Sequence, residues 1–279
     1  MARIRVITDS GCDVPEELAR RLDIDVVSLS IRFGDVEYSD RHQLSPTEFW
    51  AHCKASKVLP ETAAPSPGAF QEAYARAEAD HCDGVIVLTI SAALSATHQS
   101  ATIAAESFHD SLEVKVVDTK AVSMAQGLLV IDVAELARTG AALDQLVERA
   151  TALIPKVGVC AMLDTLEHLV KGGRVGGARA LLGQVLSIKP LLELKDGVVA
   201  EAGRQRTRAK ALHAIALVAR SHAPLRRLAI VHGDVADVDT FAQSVGDIAS
   251  EFPLIVADMG PVVGTHGGPG IIGLCWLEA

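Results

Sequence analysis

Through residues 3–153, short runs of Val, Ile and Leu alternate with longer amphipathic stretches. Parallel strands need a crossover between them, usually a helix, so this alternation restricts the first half of the chain to βα units around a parallel sheet. Residues 3–8 (RIRVIT) read as the first strand, residues 25–31 as the second, residues 84–90 (GVIVLTI) as a strand buried on both faces and residues 114–117 as a further strand. Asp13 stands three residues before Glu16 with Pro15 between them, a capping-box spacing that starts a helix over residues 15–22. Ser45-Pro46 opens a helix carrying Phe49 and Trp50, whereas residues 60–68 (PETAAPSPG) read as a rigid loop. Helices are expected over residues 70–78, 96–107, 121–139 and 142–153.

The rhythm changes at Pro155. Residues 157–162 are strand-like, and residues 191–194 and 198–202 flank Lys195-Asp196-Gly197, a strong hairpin signal. A single hydrophobic core stops growing near ~250–300 residues. The 279-residue chain is therefore expected to divide into an N-terminal α/β domain (1–155) with a parallel sheet and a C-terminal α+β domain (156–279) with a more antiparallel one.

Charge and composition narrow the function classes. A net charge of -9 repels phosphate backbones, and no stripe of Lys and Arg with interleaved aromatics offsets it, so nucleic acid is excluded as a partner. No run of about 18 apolar residues occurs, and MARIRVITDS has no apolar signal region after its first charges, so a cytoplasmic protein without stable membrane insertion is expected. The five cysteines are scattered, with no CxxC pair, and the ten histidines have no HExxH spacing, which leaves no metal site and no cofactor to expect.

Chemistry then falls to loops beyond strand ends, where open α/β sheets bind ligands. The first loop is Thr8-Asp9-Ser10-Gly11-Cys12-Asp13, which reads equally as turn and cap chemistry. The second holds Thr62. The third runs from Ser91 through Ser95 to Thr97, where hydroxyls and helix-start amides suit an anion, or where a serine simply caps the helix. The fourth group is glycine-rich, Gly172-Gly173-Arg174 and Gly264-Thr265-His266-Gly267-Gly268-Pro269-Gly270, and its glycines imply close backbone approach or positive φ. His266 is either presented to a ligand there or faces water. A hydrolase or transferase acting on an acyl substrate would pair Ser95 with His266 and a carboxylate such as Asp9 or Asp118, although no G-x-S-x-G elbow surrounds any serine.

Seven blocks in order, TDSGCD, PETAAPSPGAF, SAALSATHQSA, LEHLVKGGRV, SIKPLLELKDG, GRQRTRAKAL and GTHGGPGIIG, resemble the signature of the DegV family of bacterial fatty-acid-binding proteins over essentially the whole chain. The resemblance implies a two-domain α/β fold with one long-chain fatty acid buried between the domains, held by its carboxylate. It further implies a non-catalytic subunit that presents the fatty acid to a fatty acid kinase catalytic subunit, whose acyl phosphate product feeds phospholipid synthesis. By position, Thr62, Ser95 and His266 match the family's head-group residues, with Ser91 and Gly267 in the same motifs. Arg174 matches the GGR arginine, and Arg204 and Arg206 fall in its R-x-R segment. The chain departs from the common pattern at Thr62-Ala63-Ala64-Pro65-Ser66, usually TSQPS, and at Ser95-Ala96-Thr97-His98, usually SGTY.

Overall fold

The structure, a computed structural model, describes residues 2–56, 58–181 and 188–279; Ser187, the first residue of the SIKPLLELKDG block, lies outside them. The first half runs β1 (Ile4–Asp9), α1 (Glu16–Arg21), β2 (Ile24–Val27), β3 (Ser30–Phe33), β4 (Val36–Ser39), α2 (Pro46–Ala55), β5 (Glu61–Ala63), α3 (Pro67–Ala79), β6 (Gly84–Thr89), α4 (Thr97–Glu106), β7 (Val114–Asp118), α5 (Met124–Ala137) and α6 (Leu143–Leu153). The second runs β8 (Val157–Met162), α7 (Glu167–Lys171), β9 (Lys189–Lys195), β10 (Val198–Gln205), α8 (Arg208–Ser221), β11 (Leu225–His232), α9 (Val238–Val245), β12 (Ile255–Asp258), α10 (Pro261–Gly267) and β13 (Ile272–Glu278).

Among the described residues the strands form three sheets. The first is parallel, in the order β2-β1-β6-β7. Both its faces are covered, which is why its strands read as unbroken apolar runs: Ile7, Val85 and Val87 pack with Phe70 and Tyr74 of α3, while Val6, Ile86 and Leu88 pack with α5. The second sheet, β10-β9-β8-β13-β11-β12, is antiparallel except for the β11–β12 pair. The expected mixed α/β class, with a parallel sheet first and a more antiparallel one after, is the class observed. No helix among the described residues is long and apolar enough to cross a membrane.

Helix α5 lies between these sheets, against β1 and β6 on one side and β8, β11 and β13 on the other. Every residue from Met124 to Ala134 is buried, as befits a helix apolar all round. Burying each of Leu128, Leu129, Val130, Ile131 and Val133 contributes roughly 1.5–3 kcal/mol as an upper bound. Of its two buried polar side chains, Asp132 is paired through both oxygens and Gln126 through its amide nitrogen, while Gln126 Oε1 has no partner among the described residues. Gln126 donates to Thr8, Asp9 and the Leu88 carbonyl, and Asp132 accepts from Arg149 and Arg226.

Four local expectations need correction. Residues 25–31 are not one strand: after β2, Ser28 Oγ donates to the Asp40 carbonyl and Leu29 N to Ser10 Oγ, which breaks the ladder and sends β3 into a separate antiparallel sheet, β4-β3-β5. Residues 60–68 are not all loop, because β5 pairs with β3 and Ser66 caps α3 with Pro67 at its first position. The 121–139 helix begins only at Met124, since Ser123 has φ 56 and ψ -148. Asp13 caps nothing in α1, which has no side-chain cap bond; it adopts φ 52 and turns inward. The hairpin at Lys195-Asp196-Gly197 is present, with Asp196 at φ 51 and Gly197 at φ 81, as a primed turn demands.

A Cβ on Gly127 of α5 would lie 2.7 Å from the Cys12 carbonyl oxygen and 2.9 Å from Val14 Cγ2. Alanine in a helix normally gains about 0.5–1 kcal/mol over glycine. Here the clash prevails, and Gly127→Ala is expected to lower stability by about 1–3 kcal/mol, read as a reduced urea midpoint at unchanged m-value.

Candidate functional site

A cavity of about 210 Å³ lies between the parallel sheet and the second sheet, entered by side chains of both. Leu29, Ile90 and Leu94 wall it from the first half, and Val159, Leu192 and Val231 from the second. Its polar residues include Thr62, Ser95, Arg174 and His266. Three of these, Thr62, Arg174 and His266, also line an outer depression with Glu61, His168 and Lys171, so they stand between the apolar cavity and that depression.

Each polar group is placed by its own element. Thr62 sits in the middle of β5, in register with the fully buried Ile31. His266 is on the last turn of α10, and Thr62 Oγ1 and His266 Nε2 share a hydrogen bond of 2.9 Å. Arg174 follows α7; its Nε donates to the Leu94 carbonyl at 3.1 Å and its Nη1 to the Gly172 carbonyl at 2.6 Å, which ties the loop before α4 to the end of α7. Ser95 turns its hydroxyl to Thr97, sharing a 2.8 Å hydrogen bond with Thr97 Oγ1 and accepting from Thr97 N at 3.3 Å.

The glycines fit the close-approach reading. A Cβ on Gly172 would lie 2.2 Å from His266 Nδ1, and one on Gly267, which lines the cavity, 2.5 Å from Ile271 Cδ1. Gly268 turns the chain after α10 at φ 75. His266 is held without charge: burial first, then the Arg174 cation and His168, push its imidazole down to about 4. A protonated ring would add attraction for an anion, but a cation buried beside Arg174 is doubly disfavoured. Among the described residues His266 Nδ1 has no hydrogen-bond partner.

Of the eight residues that the resemblance singled out, the cavity gathers Thr62, Ser95, Arg174, His266 and Gly267. Ser91 does not line it. Its buried hydroxyl donates to the Gly197 carbonyl at 2.8 Å, joining the loop after β6 to the β9–β10 turn. Arg204 and Arg206 also lie off the lining. Sequence reasoning missed Ser123, whose strained backbone lines the wall, and His168, whose Nδ1 pairs with the Thr265 carbonyl at 3.0 Å. His168 does fall within LEHLVKGGRV, but nothing in that block marks it out.

The hydrolase arrangement is not assembled. Asp9 accepts from Gly11 N, Ile90 N and Gln126, with burial pushing its carboxyl up to about 6, and Asp118 accepts from Ala92 N and Lys120 N. Neither carboxylate orients His266, whose bonded nitrogen faces Thr62, and Ser95 is engaged with Thr97. Among the described residues no group of three His, Cys, Asp or Glu side chains is placed to hold a metal ion.

Known proteins share this architecture along its full length. A sequence profile described as an uncharacterised protein of the DegV family matches residues 3–279. A DegV domain-containing protein of Deinococcus radiodurans is 38% identical over 284 residues, 97% of each chain. A Thermus thermophilus DegV family protein, described for fatty acid binding, superposes with a TM-score of 0.92 at 35% identity, over 99% of this chain and 100% of that one. DegV of Bacillus subtilis, described as a fatty acid binding protein, gives a TM-score of 0.87 at 27% identity over 100% of both chains.

The histidine carries a prediction of its own. Its folded pKa lies below the ordinary 6.5, so between 6.5 and about 4 the unfolded chain binds the proton more readily and stability falls as pH drops through that window. An NMR titration of His266 should show a neutral ring until pH approaches about 4, and Arg174→Gln should raise the midpoint only part of the way to 6.5, since burial is the larger cause. A wild-type midpoint near 6.5 would contradict the described burial.

Proposed function

The chain belongs to the DegV family, and on that footing we propose that it binds a single long-chain fatty acid, tail in the apolar cavity and carboxylate at the Thr62, Ser95 and His266 end. The observation that carries this reading is the closing of an apolar cavity by a small polar cluster, Thr62, Ser95, Arg174 and His266. Arg174 stands beside His266 as the nearby cation.

The energetics favour a carboxylate with an alkyl tail. Charge-assisted hydrogen bonds contribute about 1.5–3 kcal/mol each. Each buried methylene adds about 0.8 kcal/mol, part of which offsets chain ordering and lost translational freedom. The tail supplies most of the affinity, and the head sets orientation.

The protein acts in this reading as a carrier and not as an enzyme. A carboxylate anchored beside the outer depression is oriented toward a partner, a fatty acid kinase subunit that converts it to an acyl phosphate for phospholipid synthesis. That Asp9 and Asp118 are engaged away from His266, whose Nε2 is shared with Thr62, favours the carrier over the hydrolase.

Native mass spectrometry of the purified protein, followed by lipid extraction, tests the assignment. One fatty acid per chain is expected, and His266→Ala and Thr62→Val should each weaken binding by roughly tenfold or more through lost head-group bonds. Ala161→Phe, which adds a ring to the cavity wall, should shift the bound population to shorter acids. A protein that emerges empty and refuses added fatty acid would refute the assignment.

A further inference from the structure

Resting on that reading, we propose that Asp13 is a positioning residue for the head-group site: its buried carboxylate fixes the start of α10 and the start of α5, and through α10 sets His266 against Thr62. Asp13 follows β1, in the first half of the chain, yet its partners lie far away. Gly260 N donates to Oδ1 at 2.9 Å across 247 residues, and Ser123 Oγ donates to Oδ2. Gly260 is the N-cap of α10, and His266 is on the last turn of the same short helix. A seven-residue helix is too short to bend, so a shift at Gly260 is passed to the imidazole.

Three features show how tightly the junction is made. Asp13 is 4% exposed and adopts the left-handed backbone at φ 52, which turns its side chain away from α1 and inward. A Cβ on Gly260 would lie 2.8 Å from Asp13 Oδ1, so no other residue lets the helix start approach the carboxylate so closely. Ser123 holds φ 56 and ψ -148, a conformation that non-glycine residues adopt only where their surroundings over-determine it. Its N donates to the Gly11 carbonyl at 2.8 Å and its hydroxyl to Asp13. Ser123 also lines the cavity, so the same carboxylate holds two parts of the site. Burial pushes the Asp13 carboxyl up to about 7, against the lowering by its two donors Ser123 and Gly260.

Affinities for a long-chain fatty acid and for the alcohol of the same length test the role, because the alcohol keeps the tail and loses the carboxylate. Wild type should prefer the acid. Asp13→Ala should narrow that preference by about tenfold, by weakening the acid and leaving the alcohol nearly unchanged. Asp13→Asn, whose amide can accept from Gly260 N and donate to Ser123 Oγ, should restore most of it. If Asp13→Ala fails to fold, Ser123→Ala takes its place, and a partial narrowing is expected. An acid-to-alcohol preference unchanged in the Ala variants, whether both ligands weaken together or neither does, would overturn the positioning role. Wild-type protein that binds neither ligand, or both equally, would instead remove the carboxylate site itself and the proposal with it.

Discussion

Helix α5 has no solvent face, and that constraint organises the molecule. A helix buried along nearly its whole length must be covered on both sides, so the parallel sheet and the mostly antiparallel sheet both pack on it, and a single hydrophobic cluster runs through both halves of the chain. Its polar residues can exist there only because each is multiply bonded: Gln126 to β1 and β6, and Asp132 to Arg149 and Arg226. Where α5 begins, the filling ends. Val122 and Ser123, just before it, line the cavity, so the cavity occupies the space between the sheets that the helix does not reach.

This origin accounts for the character of the site. A gap between two apolar layers has apolar walls by default, and polarity enters only where short segments are brought in by long-range pairing. Thr62 comes through the β3–β5 ladder, His266 through α10 and Arg174 through its bonds to two backbone carbonyls. An uncharged imidazole next to a fixed guanidinium provides one cation without a second buried one, which keeps the desolvation cost low while retaining attraction for an anion.

The parts legible in the sequence were those with local causes. The β1 and β6 runs, the Lys195-Asp196-Gly197 turn and the Ser45-Pro46 helix start each depend on neighbouring residues alone, and all are present. The parts that were not legible depend on distant partners. Asp13 has cap spacing in sequence, yet its carboxylate is taken by Gly260, and residues 25–31 look like one strand until Ser10 interrupts the ladder from outside. The same holds in the site. Thr62, Ser95, Arg174, His266 and Gly267 were found through ordered motifs, whereas Ser91 was drawn into the Gly197 turn and Ser123 gave no sequence signal, because its strain is imposed by Gly11 and Asp13.

The central claim is that a carboxylate is held at the Thr62 and His266 end of the cavity. Carbon-13 NMR of a long-chain fatty acid labelled at its carboxyl carbon and bound to the protein tests it most directly. The account predicts one narrow carboxyl resonance, distinct from that of free or micellar acid, which stays ionised well below the usual carboxylate range and shows a nuclear Overhauser contact to the His266 ring. A resonance that titrates like the free acid, with no contact to His266, would contradict it.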